Sequence, residues 1–374
     1  MRSLQEILKA SSNERTDDEL AYLLGLTDPD EVELLRQAAF DCATETMGPG
    51  VYLRGLIEVS NICTANCRYC GIRKSNTQVE RYTLNPKTVV DCALLAHRLD
   101  YGSIAIQAGE RRDEKWIAFI EDILRQIHAK TVDENHPHGL GVTLSLGEQT
   151  RETYARWAKA CNNPIGLRYL LRIESSNPDL FNHLHSTPGK YEKILEHRYR
   201  ALEDLRATGY QVGTGVMIGL PGQTLQDLVQ DIRTFERIDA DMIGMGPYLT
   251  SHGGDMIHEG MLEKKRLLQL ALNMIAVTRL TLTGANIAAA TALETILPGG
   301  RVKAITYGCN VVMPNLTPQM TRKSYQLYDN KSGTEVGAEA NRAIEKAIDS
   351  IPGRHLGLKQ LGSSKRWQKR VSSI

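Results

Sequence analysis

Aromatic residues are scarce in this sequence: they make up 6% of 374 residues, with four Phe and three Trp. An excess of either charge is also missing, since 45 basic against 44 acidic side chains leave a formal charge of +1. That balance gives no electrostatic reason to expect a nucleic-acid or membrane-surface protein, because both depend on clustered positive charge. No uninterrupted apolar run approaches the roughly 18 residues a membrane span needs. The opening stretch turns polar after Leu8 and has no signal-peptide core, so a cytoplasmic location is expected. The seven cysteines are odd in number, which without a secretory signal argues against a disulfide framework. The remaining composition, 41% hydrophobic and 24% charged, is that of a globular chain able to bury a sizeable core.

What is present is a change of period. Leu4, Ile7 and Leu8, then Leu20, Leu23 and Leu24, then Val32, Leu35 and Ala38 recur at three- and four-residue steps, predicting a helical extension over residues 1–50. Thr16-Asp-Asp-Glu19 reads as a capping box opening one of its helices. From residue 51 apolar strands are predicted at 52–59, 103–107, 141–146, 168–174, 211–218, 242–247, 285–289 and 304–313. Segments of helical period, such as 86–100, 116–129 and 224–238, lie between them. Eight such strands fit a parallel sheet covered on both faces, and eight is the number that closes a barrel. The expected fold is therefore α/β, a complete (β/α)8 TIM-type barrel over 51–320 with a C-terminal extension, 321–374, packed on it.

Chemistry in such a barrel sits at the carboxyl ends of the strands. The notable polar residues follow the strands: a cysteine loop after the first, Gln107-Ala-Gly-Glu110 after the second, Ser145-Leu-Gly-Glu148 after the third and Glu174 after the fourth. Two other regions read blandly. His136 and His138 lie in a polar loop with no third metal ligand in sight, so a solvated loop is expected there. The basic run 365–370 reads as a frayed, solvated tail rather than a nucleic-acid surface.

Three of the cysteines fall close together, in Cys63-Thr-Ala-Asn-Cys67-Arg-Tyr-Cys70. Thiolates at these spacings can hold one face of an iron–sulfur cubane, which ordinarily takes four. A missing fourth ligand leaves one iron open as a substrate-binding position. The competing reading is structural zinc, which wants a closed tetrahedral shell from two paired ligand clusters. No second CxxC or HxxxH follows downstream. Cys42, Cys92, Cys161 and Cys309 stand singly and read as small buried hydrophobes.

Cys63-x3-Cys67-x2-Cys70, with Tyr69 before the last cysteine, resembles the signature of radical S-adenosylmethionine (SAM) enzymes. Ile57-Glu-Val-Ser-Asn-Ile-Cys63, Val142-Thr-Leu-Ser-Leu-Gly-Glu148, Arg168-Tyr-Leu-Leu-Arg172-x-Glu174, Gly219-Leu-Pro-Gly-Gln-Thr224, Pro298-Gly-Gly-Arg301 and Asn310-Val-Val-Met-Pro-Asn315 extend the likeness to the HydE family of FeFe-hydrogenase maturases. Biotin synthase and methylornithine synthase are its cousins. The resemblance implies one 4Fe–4S cluster on Cys63, Cys67 and Cys70, with SAM chelated at the open iron and held by Tyr69, Gly109, Glu110, Ser145, Glu174 and Arg198. It further implies a substrate pocket of Arg54, Gln107, Thr143, Arg168, Arg172, Met242, Thr291, Met313, Tyr325 and Tyr328. The implied substrate is an organometallic cysteine complex carrying iron, carbon monoxide and cyanide, and the reaction starts from a 5′-deoxyadenosyl radical. A reduced ferredoxin- or flavodoxin-type donor and other hydrogenase maturases are the implied partners. For Arg198, set in a charged helical stretch, a solvated helix face is an equally open reading. Thr143, Thr291, Met242 and Met313 read equally as barrel lining or core.

The sequence departs from the family pattern at Ile173, where the family has histidine, at Ala290, at Cys309, and at His252-Gly253-Gly254 in the stretch after the sixth strand. These departures leave two further expectations open. One is a radical mutase or sulfur-insertion enzyme acting on a small amino acid or thiol-containing metabolite. The other is an electron carrier or cluster scaffold without catalysis.

Overall fold

The computed structural model describes residues 2–134, 136–185, 193–331 and 338–372. Three helices open the chain: α1 (Leu4–Lys9), α2 (Asp17–Leu24) and α3 (Pro29–Met47). Ser3, Thr16 and Asp28 cap them by accepting from first-turn N–H groups, and Glu19 completes the box expected at Thr16. Ile7, Leu20, Leu23, Leu24 and Leu35 are fully buried, so the three- and four-residue spacing did mark the inward faces.

Strands and helices then alternate: β1 (Gly50–Ser60), α4 (Pro86–Arg98), β2 (Ser103–Ala108), α5 (Glu114–Thr131), β3 (Gly141–Ser145), α6 (Arg151–Cys161), β4 (Leu167–Leu170), α7 (Pro178–His185), α8 (Leu195–Ala207), β5 (Gln211–Thr214), β6 (Met217–Ile218) and α9 (Leu225–Arg237). The second half continues with β7 (Met242–Ile243), β8 (Gly246–Pro247), α10 (Lys264–Thr281), β9 (Asn286–Ile287), α11 (Thr291–Ile296), α12 (Gly300–Thr306) and β10 (Val311–Val312). The chain ends in α13 (Gln319–Arg322), α14 (Ala338–Asp349), β11 (His355–Leu356) and α15 (Lys365–Val371).

Eight strands form one parallel path in the order β10-β1-β2-β3-β4-β5-β7-β9, and β11 adds in parallel to the start of β1. The short strands β6 and β8 pair beyond the ends of β5 and β7. At the two ends of the path, Asn310 N donates to Ile287 O and Ala289 N to Val311 O, around a single parallel bridge between Ala288 and Val311. The α/β expectation holds, with a parallel sheet as its frame.

Side chains alternate across this sheet. Ile57, Val59, Ile104, Ile106, Val142, Leu144, Leu167, Tyr169, Val212 and Ile287 share one hydrophobic core with helix residues such as Trp116, Trp157, Phe235 and Ile275. The intervening positions face inward, and the register aligns them in rows. Arg54 pairs with Ser103 and Gly141; Leu56 with Ala105, Thr143, Arg168 and Gln211; Glu58 with Gln107 and Ser145. The inner face is thus largely polar.

Three expectations change. Residues 304–306, the start of the last expected strand, belong to helix α12, because the Glu294 carboxylate accepts from Gly299 N (2.8 Å) and Arg301 N (3.2 Å) and caps it. A short apolar run does not by itself separate helix from strand. The fifth and sixth expected strands are each split in two, where Gly215 lies against Gly244 so closely that a Cβ would stand 1.9 Å from the Gly244 carbonyl oxygen. The basic run is no frayed tail. It forms α15, in which Arg366 reaches Asp239 at 3.0 Å and Arg370 reaches the buried Asp241 at 2.6 and 2.7 Å. Just before it, residues 361–364 cross the amino-terminal ends of the strands: Leu361 O accepts from Ser103 Oγ (2.9 Å), Gly362 O from Asn286 Nδ2 (2.8 Å), and Ser364 N donates to Gln211 (3.0 Å). No helix among the described residues is long and apolar enough to cross a membrane.

Candidate active site

The cysteine loop leaves the carboxyl end of β1 and is stitched to the end of β2. Gly109 N donates to Ser60 O at 2.9 Å, and Thr64 N to Glu110 O at 2.8 Å. Contact here is so close that a Cβ on Gly109 would lie 2.4 Å from Ile62 O and 2.8 Å from Cys63 Cβ. Glu110 N in turn points at Cys63 Sγ, 3.3 Å away, a donor suited to a thiolate. Arg81 gathers the loop from below, donating to the carbonyls of Asn61, Ile72, Arg73 and Asn76 at 2.6 to 2.8 Å. Nothing in the sequence distinguished Arg81 from any other loop arginine.

The loop is also covered. Gly71 N donates to Leu327 O (2.9 Å), and a Cβ on Gly71 would meet Gln326 O. Gly254 lies against Arg68 O with Cβ room of 2.5 Å, Asp255 N donates to Arg68 O, and the Asp255 carboxylate pairs with Arg73. His252 is bound to Asp329 at 2.6 Å. The divergent His252-Gly253-Gly254 stretch therefore braces the cysteine loop rather than lining the interior.

All seven cysteines are free thiols. Burial pushes Cys63, Cys67 and Cys70 upward, Cys67 to about 11, so they stay protonated until a metal displaces the protons. Among the described residues the trio of His, Cys, Asp or Glu ligand atoms lying within 4.8 Å of one another is His97, Asp133 and His136. Three thiols on one short loop, with the Glu110 N–H aimed at the first of them, are instead the donor set of an iron–sulfur centre. The donors fit a larger polynuclear centre.

Beside the cysteines lies a buried group of opposed charges. Glu110 accepts from Lys193 (2.8 Å) and from Glu148 N (2.9 Å). Glu148 is paired with Arg198 (2.6 Å) and Arg112 (3.3 Å), and Arg198 also donates to Arg172 O. Burial alone would raise both carboxyls. The Lys193 ammonium outweighs it at Glu110, and Arg198 with Lys193 brings Glu148 down to about 2. Arg198 is 5% exposed, which settles it as an interior residue of α8 and not a solvated one. Lys193 was not picked out in the sequence and has no local signal, since its partners lie dozens of residues away.

Glu174 stands just past β4 at φ +64, a conformation strained for any residue with a Cβ. Its N–H donates to Gly215 O (3.0 Å) and its carbonyl accepts from Met217 N (3.0 Å). The carboxylate is thereby aimed at Tyr69 Oη (3.4 Å) and the Arg172 guanidinium (2.9 Å). Tyr69 packs edge-on against His185, and Ser145 ends β3 half-exposed on the same side.

Deeper in, Gln107 and Thr143 face the interior in the register given above, and Thr143 Oγ1 is buried without a partner. Arg172 donates to Val216 O (2.8 Å). Arg54 and Arg168 lie at the floor. Arg54 rests on the Met242 sulfur and Gly362 O, and Arg168 on Ser103, Gly166 O and Leu361 O. Their Nε atoms have no partner, and burial lowers both, reinforced at Arg54 by repulsion from Arg168. On the opposite wall Thr291 and Tyr328 share a hydrogen bond of 2.9 Å, and Met313 packs against Tyr52, Ala288 and Val311. Tyr325 is buried, with the Lys331 ammonium 4.8 Å over its ring. Lys331 in turn pairs with Glu58, again without any local sequence signal. Ile173 and Cys309 belong to the core between sheet and helices: alternation with Tyr169 turns Ile173 outward, and Cys309 lies in the connection between α12 and β10.

Residues 57–235 match the model of the radical SAM superfamily. Together with the three-cysteine loop at the end of the first strand, this defines the chain as a radical SAM enzyme. The chain is 38% identical to the FeFe-hydrogenase maturase subunit HydE of Thermotoga maritima over 328 residues, covering 87% of this chain and 88% of that protein. It belongs to the HydE family of radical SAM maturases. A more remote relative is 3-methylornithine synthase of Methanosarcina acetivorans, 22% identical over 90% of this chain and 89% of that one. The X-ray structure of the maturase HydG from Carboxydothermus hydrogenoformans superposes with a TM-score of 0.75 at 18% identity, over 92% of this chain and 76% of that one, a likeness of fold.

Proposed function

We propose that this protein uses an adenosyl radical on the sulfur of a cysteine-bound iron carbonyl/cyanide complex, in assembly of the di-iron cofactor of FeFe-hydrogenase. Cys63, Cys67 and Cys70 would hold one 4Fe–4S cluster, and the Glu110 N–H would stabilise the Cys63 thiolate. When bound, the cluster supplies at its open iron the electron that cleaves SAM reductively to the 5′-deoxyadenosyl radical. Gly109 and Glu110 would receive the SAM amino group, while Ser145, Glu174 and Arg198 would hold its ribose and carboxylate, with Tyr69 orienting Glu174. Glu148 and Lys193 keep Arg198 and Glu110 charged and in place, so these contacts are preformed.

The observation that carries the substrate assignment is Arg54 and Arg168. Two guanidinium groups are buried in the interior with carbonyl, hydroxyl and thioether partners, their Nε atoms unpaired. Buried positive charge without a counter-charge is costly, and an anionic complex with carboxylate and cyanide groups supplies one. Gln107, Thr143, Arg172, Met242, Thr291, Met313, Tyr325 and Tyr328 would line the same chamber. Ile173 and Cys309 face away from it, so two of the family departures leave the chamber unaltered. The Ala288–Val311 bridge supports a complete eight-stranded ring around it, with residues 1–50 and 321–374 as extensions to a barrel over 51–320. A ferredoxin- or flavodoxin-type donor and other maturases would be its partners.

The test is anaerobic reconstitution, then reduction with SAM and a synthetic iron–carbonyl–cyanide complex of cysteine, with mass analysis of the nucleosides. An adenosyl group on cysteine sulfur is expected. Free 5′-deoxyadenosine alone, at a rate indifferent to the complex, would move the substrate to a plain amino acid.

A further inference from the structure

We propose that His97, Asp133 and His136 form a second, structural metal site that takes a divalent zinc-type ion. Their ligand atoms all lie within 4.8 Å of one another. His97 Nε2 stands 2.9 Å from Asp133 Oδ2, His136 Nδ1 stands 3.2 Å from Asp133 Oδ1, and the two imidazole rings are 4.8 Å apart. Nitrogen and oxygen atoms about 3 Å apart match the edges of a tetrahedral zinc shell with bonds of about 2.0–2.1 Å. Two imidazoles and one carboxylate are a donor set for zinc or its neighbours among the divalent transition metals, and hard cations want more oxygen.

The surroundings point the same way. Asp133 and His136 are held in one tight turn, with His136 N donating both to Asp133 O (3.2 Å) and to Asp133 Oδ1 (2.7 Å). The His136 side chain is 3% exposed, with its Nδ1 turned to Asp133 Oδ1. His97 lies in the last turn of α4, where the helix dipole favours a cation. Asp133 is 41% exposed, leaving a way in for the ion.

The turn of α4 that carries His97 leads into the start of β2, and the Asp133–His136 turn leads into the start of β3. The cysteine loop follows the end of β1. The site is therefore at the opposite end of the strands from the cluster, where groups in such barrels serve stability. A bound ion would clamp α4 to the loop between α5 and β3. His138, the other histidine of that loop, is exposed and takes no part.

The experiment uses cluster-loaded protein, so that Cys63, Cys67 and Cys70 are already occupied. It is exposed to zinc, desalted, and analysed for metal content and thermal unfolding. Retention of about one equivalent of zinc with a raised unfolding midpoint is expected. Asp133→Asn, at an exposed position, and His97→Gln should lose both the zinc and the shift while iron content and SAM cleavage stay as in the parent. Zinc absent from the parent, or retained equally by the variants, would overturn the site without touching the radical chemistry.

Discussion

Glu174 combines a strained backbone with a carboxylate aimed at Tyr69 and Arg172, a pairing of strain and orientation typical of functional positions. Glu174→Gln keeps the shape and removes the charge. SAM affinity of the cluster-loaded variant should fall about tenfold, near 1.4 kcal/mol for a charge-assisted contact, with iron content unchanged. Equal affinity in a binding titration would assign the role to another carboxylate. Glu148 carries a different prediction, about acid. Its folded carboxyl sits at about 2 against an ordinary 4.5, so its pairing with Arg198 stabilises the fold fully above about pH 4.5. That contribution, on the order of 3 kcal/mol, is lost as pH falls towards 2. Denaturant unfolding across that window should show a shallower decline in Glu148→Gln than in the parent.

At the scale of elements, the cysteine loop depends on glycines where strands deliver backbones into contact. A methyl group at Gly109 would meet Ile62 O and Cys63 Cβ, neither of which is the free end of a side chain. Gly109→Ala should therefore displace the loop and reduce iron incorporation severalfold, while costing the fold about 1–3 kcal/mol. Full iron content on reconstitution would show the loop to be more compliant than the packing implies. Strand positions were readable from alternation, as Ile104, Ile106, Val142 and Leu144 show by facing the helices. Helix α12 was not readable, because its cap is a Glu294 side chain outside the apolar run. Nor was the break between β5 and β6, which is set by contact with Gly244 in the matching break between β7 and β8.

Across the whole molecule the chain's end closes what its middle builds. Residues 361–364 cover the amino-terminal ends of the strands, and α15 is fixed by Arg370 on Asp241, whose side chain is fully buried. Arg370→Ala leaves that carboxylate with Val212 N and the more distant Arg206 at 3.6 Å. The loss should be about 3 kcal/mol or more, as for other broken buried pairs, visible as a fall of several degrees in Tm. An unchanged Tm would mean that Arg206 swings in to compensate.

The sequence by itself determined what local rules govern: the Thr16–Glu19 cap, the inward and outward faces of the strands, and a cysteine triplet whose spacing is set within one loop. Tertiary structure alone decided the contacts between residues far apart in the chain. It joined Lys193 to Glu110, Arg198 to Glu148 and Lys331 to Glu58, laid Arg81 under the cysteine loop, and supplied His97 to a loop that in sequence had too few ligands. The physical reason is that a parallel sheet pairs strands separated by whole helices, so the neighbours that set a side chain's charge and partners have no periodic relation to it along the chain.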